Sequence, residues 1–491
     1  MAAKEGIEHI VVLMLENRSF DCMLGKLNPS GPGFEGITDD LANYYGATRY
    51  PVWKSETLDE TAACIPNVDP GESFDDMNEQ LFGARDKVTE PASMNGFVQN
   101  YATLPTSPTQ NSDLIDKIEY YLSKPKQIVP GEVMHYFEPE QLPALTTLAR
   151  AFGVCDQWYA SAPCQTWPNR FFAHTGTCLG YVNNQQFPIP FTAPSIFSRL
   201  DQNNKAWRVY FHDLPQSILL KDVWATAPLH YRFFHQFLVD AENGALPHYS
   251  FIEPRYFPDV LLNKIPNDQH PPHNVLQGDA LIAAVYNAVR QSPCWKRTLL
   301  IITYDEHGGC FDHAPPPEAV PPDNCAQFGF DFARYGVRVP AVIVSPYMPQ
   351  GTVVRSVPIG MPQKGPPYPF DHTSILSTLR EQFGLGLPLT ARDAVAPSLL
   401  TALTLQDPVN DGPAHIDSTA TPVAPSKFDE LISAPLNHLQ SALADMIARL
   451  PMRLPEATVA ITPLDRGAPP AANLSEAATY ALSHLRFFLE V

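Results

Sequence analysis

Long hydrophobic runs are missing from this sequence. No stretch approaches the ~20 apolar residues that a membrane-crossing helix needs, and the first strong run, Ile10 to Leu15, is followed at once by Glu16, Asn17 and Arg18. Basic residues are few: 33 Lys and Arg stand against 52 Asp and Glu, a formal net charge of −19. Recognition of a nucleic-acid backbone needs clustered Lys and Arg, so no nucleic-acid partner is expected. A phosphate-bearing substrate would need positive charge supplied locally, by a metal ion or by histidine. Cysteine is sparse as well: there are eight, with no CxxC spacing, which predicts free buried thiols rather than a disulfide framework or a zinc cage. The opening MAAKEGIEHIVVLML carries acids ahead of a six-residue apolar run, too short for the core of a signal peptide. The expectation is a protein cytoplasmic as synthesised, with export left to a signal-independent route.

Proline, in contrast, is abundant at 51 of 491 residues, about twice the usual ~5%. Proline ends helices and is excluded from central strands, so rigid loops over a compact sheet are expected. The length exceeds the usual ceiling for a single core. The chain reads as one main domain over 1–405, then a Pro-rich linker (TATPVAPSKF) and a helical region over 406–491. Region 28–130 is polar and rich in Pro and Gly, and reads as an irregular insertion.

The periodic segments define the fold class. Leu276, Ala280, Leu281, Ala284, Val285, Ala288 and Val289 recur at helical spacing. The apolar run TLLIITY then leads into Asp305 and Glu306, and RVPAVIVSPY is a further buried strand. Helices alternating with continuous apolar strands indicate an α/β fold: a central, mostly parallel sheet with helices on both faces. Two of these strands end in acids, one in Glu16-Asn17 and one in Asp305-Glu306. Ligands of open α/β sheets bind outside the carboxyl ends of the strands. If the two strands are parallel neighbours, three carboxylates converge there. Like charges at short range repel, and a divalent cation on Asp, Glu and Asn oxygens relieves this.

Thr166, in QTWPNR, lies just before Pro168 at an expected helix start, a position that favours a phosphate anion; an ordinary capping threonine sits in the same place. Ser19 and Ser161 are competing hydroxyls that read as turn or capping residues. Arg170 reads as a structural ion pair with a phosphate contact as the rival. Asp312 and His313, like Asp371 and His372, suit either a supporting or a purely structural role. His212, His270, His273 and His307 lie at element ends, where an imidazole can hold or protonate a phosphoryl oxygen.

The ordered motifs ENRSFD, PxxTWPNR, HPPHNV, TYDEHGG with FDH, and DHTSIL resemble the phosphoesterase family of phosphatidylcholine-type phospholipases C and acid phosphatase A relatives, within the alkaline-phosphatase-like superfamily. The resemblance runs from about residue 7 to about 400. It implies an alkaline-phosphatase-like fold and hydrolysis of phosphoesters on one divalent ion (Zn, Ca, Mg or Mn) held by Glu16, Asn17, Thr166, Asp305 and Glu306. By the same resemblance Thr166 is the nucleophile, giving a phospho-threonine intermediate. His270, and more weakly His212, are catalytic histidines contacting the phosphate, and Asn17, Glu72 and His307 also face the substrate. Glu72 departs from the pattern: relatives often carry His there, and a carboxylate donates to a phosphoryl oxygen only when protonated. The expected substrate is a phospholipid such as phosphatidylcholine. A broad acid phosphatase acting on monoesters is the rival, and a non-catalytic module with a structural ion the third reading.

Beyond the resemblance, Leu436, Leu439, Leu443, Met446, Ile447 and Leu450 repeat at a helical period, as do Leu474, Ala478, Ala481, Leu482, Leu485, Phe488 and Leu489. Helices docked on their own domain account for these stripes. A homo-oligomer contact is the sharper alternative, ranked above peripheral membrane contact because no basic face is present.

Overall fold

The computed structural model describes residues 3–28, 33–86, 88–104, 127–259, 262–357, 365–418, 420, 428, 436–450 and 474–489. The expected linker over 419–428 lies almost wholly outside the described residues. The strands are β1 (His9–Leu15), β2 (Ala42–Tyr45), β3 (Thr48–Pro51), β4 (Gly153–Cys155), β5 (Trp207–Phe211), β6 (Tyr231–Phe233), β7 (Tyr249–Glu253), β8 (Thr298–Tyr304), β9 (Ala341–Val344) and β10 (Thr352–Val353). All but β2 and β3 form an eight-stranded sheet in the order β10-β4-β9-β8-β1-β7-β5-β6. β1 runs parallel to both β7 and β8, and every residue of β8 is buried. This is the α/β architecture expected, with the two acid-ended strands as parallel neighbours.

Parallel neighbours require crossovers. The helix α6 (Val275–Gln291) supplies the one from β7 to β8 and buries Leu281, Ile282, Val285, Tyr286 and Val289. Its Asp279 accepts from the backbone N–H groups of Ala144 and Leu145, at 3.0 and 2.9 Å. Those groups are the otherwise unpaired donors at the start of α4 (Pro143–Ala151). One strand runs against expectation: β9 is antiparallel to both β8 and β4 and spans only part of RVPAVIVSPY. An unbroken apolar run reports burial on both faces, not direction, and Pro340 and Pro346 flank the paired portion.

Region 28–130 is not simply irregular. β2 and β3 pair as an antiparallel hairpin, followed by α2 (Phe74–Phe82) and α3 (Phe97–Ala102). Leu81, Phe97, Tyr101, Val133, Met134 and Phe311 form a second apolar cluster beneath them. A capping box fixes the start of α2: Ser73 accepts from the Asp76 N–H and Asp76 accepts from the Ser73 N–H. That start places Asp69 and Glu72 at the sheet edge.

The C-terminal helices pack on the main domain, the first of the two readings of their stripes. In α8 (His438–Ala448) and α9 (Leu474–Leu489), Leu443, Met446, Ile447, Leu485 and Phe488 are buried in the same core as the sheet. Phe488 meets Trp224 edge-on at 6.1 Å, and Gln440 donates to the Tyr256 carbonyl at 2.7 Å. These described side chains pack within the chain, as helices docked on their own domain do. Residues 410–416 are also tied down. Asn410 donates to the Ala151 carbonyl at 2.9 Å, Arg290 to the Asp411 carbonyl at 2.7 Å, and the Ile416 N–H to Asn287 at 2.9 Å. None of the eight cysteines is in a disulfide. Among the described residues, no helix is long and apolar enough to cross a membrane.

Candidate active site

Leu15 and Tyr304 are register partners at the ends of β1 and β8, so Glu16-Asn17 and Asp305-Glu306 leave the sheet side by side. Asn17 turns the chain with φ +52°. Its backbone N–H donates to Asp305 Oδ1 at 2.9 Å, and its amide Nδ2 donates to Glu72 Oε1 at 2.6 Å and Glu306 Oε1 at 2.8 Å. The loop after Glu306 closes onto this turn. A Cβ at Gly308 would fall 2.2 Å from the Asn17 carbonyl, so no other residue fits there.

Thr166 is the first residue of α5 (Thr166–Thr175), and the helix cap is Gln165. The Thr166 hydroxyl is therefore not a capping group. It donates to Glu16 Oε2 at 3.3 Å and lies 3.4 Å from Asn17 Oδ1. The competing hydroxyls are committed elsewhere: Ser19 donates to the Phe311 carbonyl and Ser161 to Asp371. One helical turn after Thr166, the buried Arg170 reaches Glu16 Oε1 at 2.7 Å, Asp305 Oδ2 at 3.6 Å and Glu253 Oε2 at 3.8 Å. It is the ion pair anticipated, with three partners instead of one.

Glu253 went unnoticed in the sequence, although YSFIE repeats the signal of an apolar strand ending in an acid. It sits at the end of β7, the other neighbour of β1. It accepts from the backbone N–H groups of Gln216 and Ser217 at 2.9 and 3.1 Å, from the Ser217 hydroxyl and from Tyr256. Gln216, fixed in this way, donates to Glu16 Oε1 at 2.8 Å.

The electrostatics follow from burial. Loss of solvent holds the Glu16, Glu72, Glu306 and Asp69 carboxyls well above the usual range. Neighbouring carboxylates add to this, with Asp305 acting on Glu16 and Glu306, and Asp69 acting on Glu72; Arg170 pulls Glu16 back. Such a cluster is arranged for a cation. Glu16 Oε2, Asn17 Oδ1, Thr166 Oγ1 and Asp305 Oδ2 are hard oxygens of the kind a divalent cation takes, and buried Asp305 Oδ2 has no hydrogen-bond partner. The donor set fits the ion. Glu306 braces Asn17 with one oxygen and accepts the Gly308 N–H at 2.8 Å with the other, and each oxygen keeps a lone pair for a cation.

The histidines separate. His270 is buried, and its Nδ1 donates to the Pro271 carbonyl at 2.6 Å. Burial pushes it down to about 4, so the ring is neutral and Nε2 presents a lone pair; donation to a phosphoryl oxygen would require the imidazolium. His307 meets Gln80 Oε1 through Nε2 at 2.7 Å and Glu306 Oε2 through Nδ1 at 3.2 Å. His212 is not brought to the carboxylates. It follows β5, two strands from β1, stacks on Phe234 and meets the Glu253 carbonyl at 3.2 Å. Asp312 and His313 form a structural network in which Arg338 donates to Asp312 and Asp21, each at 2.9 Å, and His313 pairs with Asp21. His372 meets the Asp305 carbonyl at 2.6 Å, supporting the strand end from behind.

The Phosphoesterase family profile matches residues 7–386. The chain belongs to the phosphoesterase family. It is a phosphoric ester hydrolase, and its strand-end carboxylates with Thr166 lie inside the matched span. This phosphoesterase is 36% identical to non-specific phospholipase C1 of Arabidopsis thaliana, over 87% of this chain and 77% of that protein. It is 34% identical to non-specific phospholipase C6 of the same plant, over 90% and 81%, and 27% identical to phospholipase C B of Mycobacterium tuberculosis, over 84% and 80%. A solved protein of the alkaline phosphatase superfamily from Vibrio parahaemolyticus overlaps 52% of this chain and 63% of its own at 11% identity and a TM-score of 0.31.

Proposed function

We propose that this phosphoesterase is a phospholipase C that cleaves phosphatidylcholine-type phosphodiesters to diacylglycerol and a phosphorylated head group, with Thr166 as the nucleophile. The observation that carries the mechanism is the Thr166 hydroxyl, held between Glu16 Oε2 and Asn17 Oδ1 at a helix start. Glu16 accepts the hydroxyl proton, the oxygen attacks phosphorus, and the P–O bond to the glycerol oxygen breaks, the departing alkoxide taking a proton from water to leave as diacylglycerol. Arg170 holds Glu16 and Asp305 in place and balances part of their charge. Glu253 fixes Gln216, and Gln216 fixes the far oxygen of Glu16. A divalent cation bound by Glu16, Asn17, Thr166 and Asp305, with Glu306 bracing Asn17, would polarise the phosphoryl oxygen and lower the pKa of the hydroxyl. Water then releases the phospho-threonine. The names of the plant and mycobacterial relatives support the phospholipid substrate. A purely structural ion would have no use for a nucleophilic hydroxyl in its ligand set.

The test compares p-nitrophenylphosphorylcholine and phosphatidylcholine vesicles with p-nitrophenyl phosphate, each with and without chelator. The diesters should be preferred and chelation should abolish turnover. A kcat/KM about a hundredfold higher for the monoester would replace this reading with the acid phosphatase.

A further inference from the structure

Beside Asn17, on the side away from Thr166, three ligand groups face one another, and the Asn17 amide donates to one of them, Glu72, at 2.6 Å. Asp69, Glu72 and His270 each bring a ligand atom within 4.8 Å of the other two. His270 Nε2 lies 3.4 Å from Glu72 Oε1, and His270 Nδ1 lies 3.7 Å from Asp69 Oδ1. His270 is fully buried and its Nε2 has no hydrogen-bond partner; neither carboxylate oxygen of Asp69 has one. The tautomer follows from the Pro271 carbonyl, which can only accept, so Nδ1 carries the ring proton and Nε2 the lone pair. A lone pair aimed at a carboxylate oxygen, beside a second carboxylate without donors, calls for a proton or a cation between them, and an imidazole with two carboxylates is a donor set that suits a cation. No lysine or arginine among the described residues forms an ion pair with these three groups. Arg18 is near and its charge acts on Asp69, but the hydrogen bonds it makes go to the Gln269 and Ile65 carbonyls at 2.8 and 2.6 Å, and its Nη2 has no partner.

We propose that Asp69, Glu72 and His270 hold a second divalent cation, adjacent to the one assigned to Glu16, Asn17, Thr166 and Asp305. Two carboxylates and an imidazole suit Zn²⁺ or Mn²⁺. Asn17 joins the two sites: its amide oxygen faces Thr166, and its amide nitrogen donates to Glu72 and Glu306. The site stands on the geometry alone. Its use in catalysis rests on the phosphoesterase mechanism above, where a second cation supplies, next to Asn17, positive charge toward a phosphate that Glu72 itself cannot.

The test is the number of Mn²⁺ ions bound by the full-length chain at saturation, measured by equilibrium dialysis and elemental analysis on folded samples verified by circular dichroism. Wild type should bind two per chain. Glu72→Gln and Asp69→Asn should each bind one, Asp305→Asn should bind one, and the double variant Glu72→Gln/Asp305→Asn none. Wild type binding two ions with Glu72→Gln and Asp69→Asn also binding two would overturn the second site. One ion in wild type, lost in Asp305→Asn and kept in Glu72→Gln, would overturn it and leave the Thr166 mechanism standing. One ion kept in Asp305→Asn and lost in Glu72→Gln would place the cation at Asp69, Glu72 and His270 and remove it from the mechanism. One ion lost in both variants would mean a single shared ion and would also overturn the second site.

Discussion

At the scale of residues, Thr166 differs from every other nearby hydroxyl in having Glu16 to take its proton. Ser19 and Ser161 each donate to a structural acceptor. Thr166→Ala should therefore lower kcat by ~10³-fold or more, the scale for removal of a covalent nucleophile, with circular dichroism unchanged. Thr166→Ser keeps the oxygen and should keep most of the rate. A folded, metal-replete Thr166→Ala enzyme within about tenfold of wild type would shift attack to water. Arg170 tests the electrostatics in another way. It is the buried cation among Glu16, Asp305 and Glu253, and breaking a buried pair from one side costs about 3–5 kcal/mol. Urea unfolding of Arg170→Met under chelation should show a loss of that order; a change near zero would mean the carboxylates are protonated and need no partner. The acids at the ends of β1 and β8 were legible because an apolar strand announces its own end. The partners of Arg170, and the parts played by Glu253 and Gln216, were not. Their roles depend on β7 lying beside β1 and on a helical turn carrying Arg170 back over both, and neither fact is written in any local pattern.

At the scale of elements, strand direction and insertion structure were the hard parts. Apolar β9 gave no sign of running antiparallel. The short α2 was hidden in a polar stretch, although Ser73 and Asp76 at capping-box spacing could have revealed it. The C-terminal stripes were read correctly as helices, and their apolar faces turn inward. Leu443 is fully buried, so Leu443→Ala should cost about 2–5 kcal/mol and lower Tm while light scattering shows the same subunit number as wild type. A lower subunit number at unchanged Tm would restore the oligomer contact. Within α5, His174 is buried against Phe171, Phe197 and Phe251. Burial pushes it from 6.5 down to about 3. The unfolded chain thus binds a proton that the folded chain rejects, and stability present above pH 6.5 falls as pH drops toward 3. At about pH 5 the loss from this group is about 2 kcal/mol. His174→Phe should flatten that part of the stability profile in urea titrations, and an unaltered acid slope would assign it to other groups.

At the scale of the whole molecule, the charge of −19 must be reconciled with a substrate presented at a lipid surface. A polybasic patch would draw the enzyme to anionic lipid by about 1 kcal/mol per basic residue; this chain has the opposite balance. A zwitterionic phosphatidylcholine surface carries no net charge and does not repel it, whereas a surface doped with anionic lipid does, over a distance set by the Debye length of about 8 Å at physiological salt. Any positive charge in the active site acts only after contact, because the site lies among buried carboxylates. On vesicles of phosphatidylcholine with increasing phosphatidylglycerol, kcat/KM toward phosphatidylcholine should therefore fall as the anionic fraction rises, while kcat, measured at saturating lipid, changes little. Raising the salt to about 0.5 M, where screening shortens the Debye length to roughly half its physiological value, should recover most of the loss. A short-chain choline diester below its micellar concentration should show no such dependence. If anionic lipid instead raised kcat/KM and salt removed the gain, a local basic surface would have to govern docking, and the net charge of the chain would be irrelevant to where it acts.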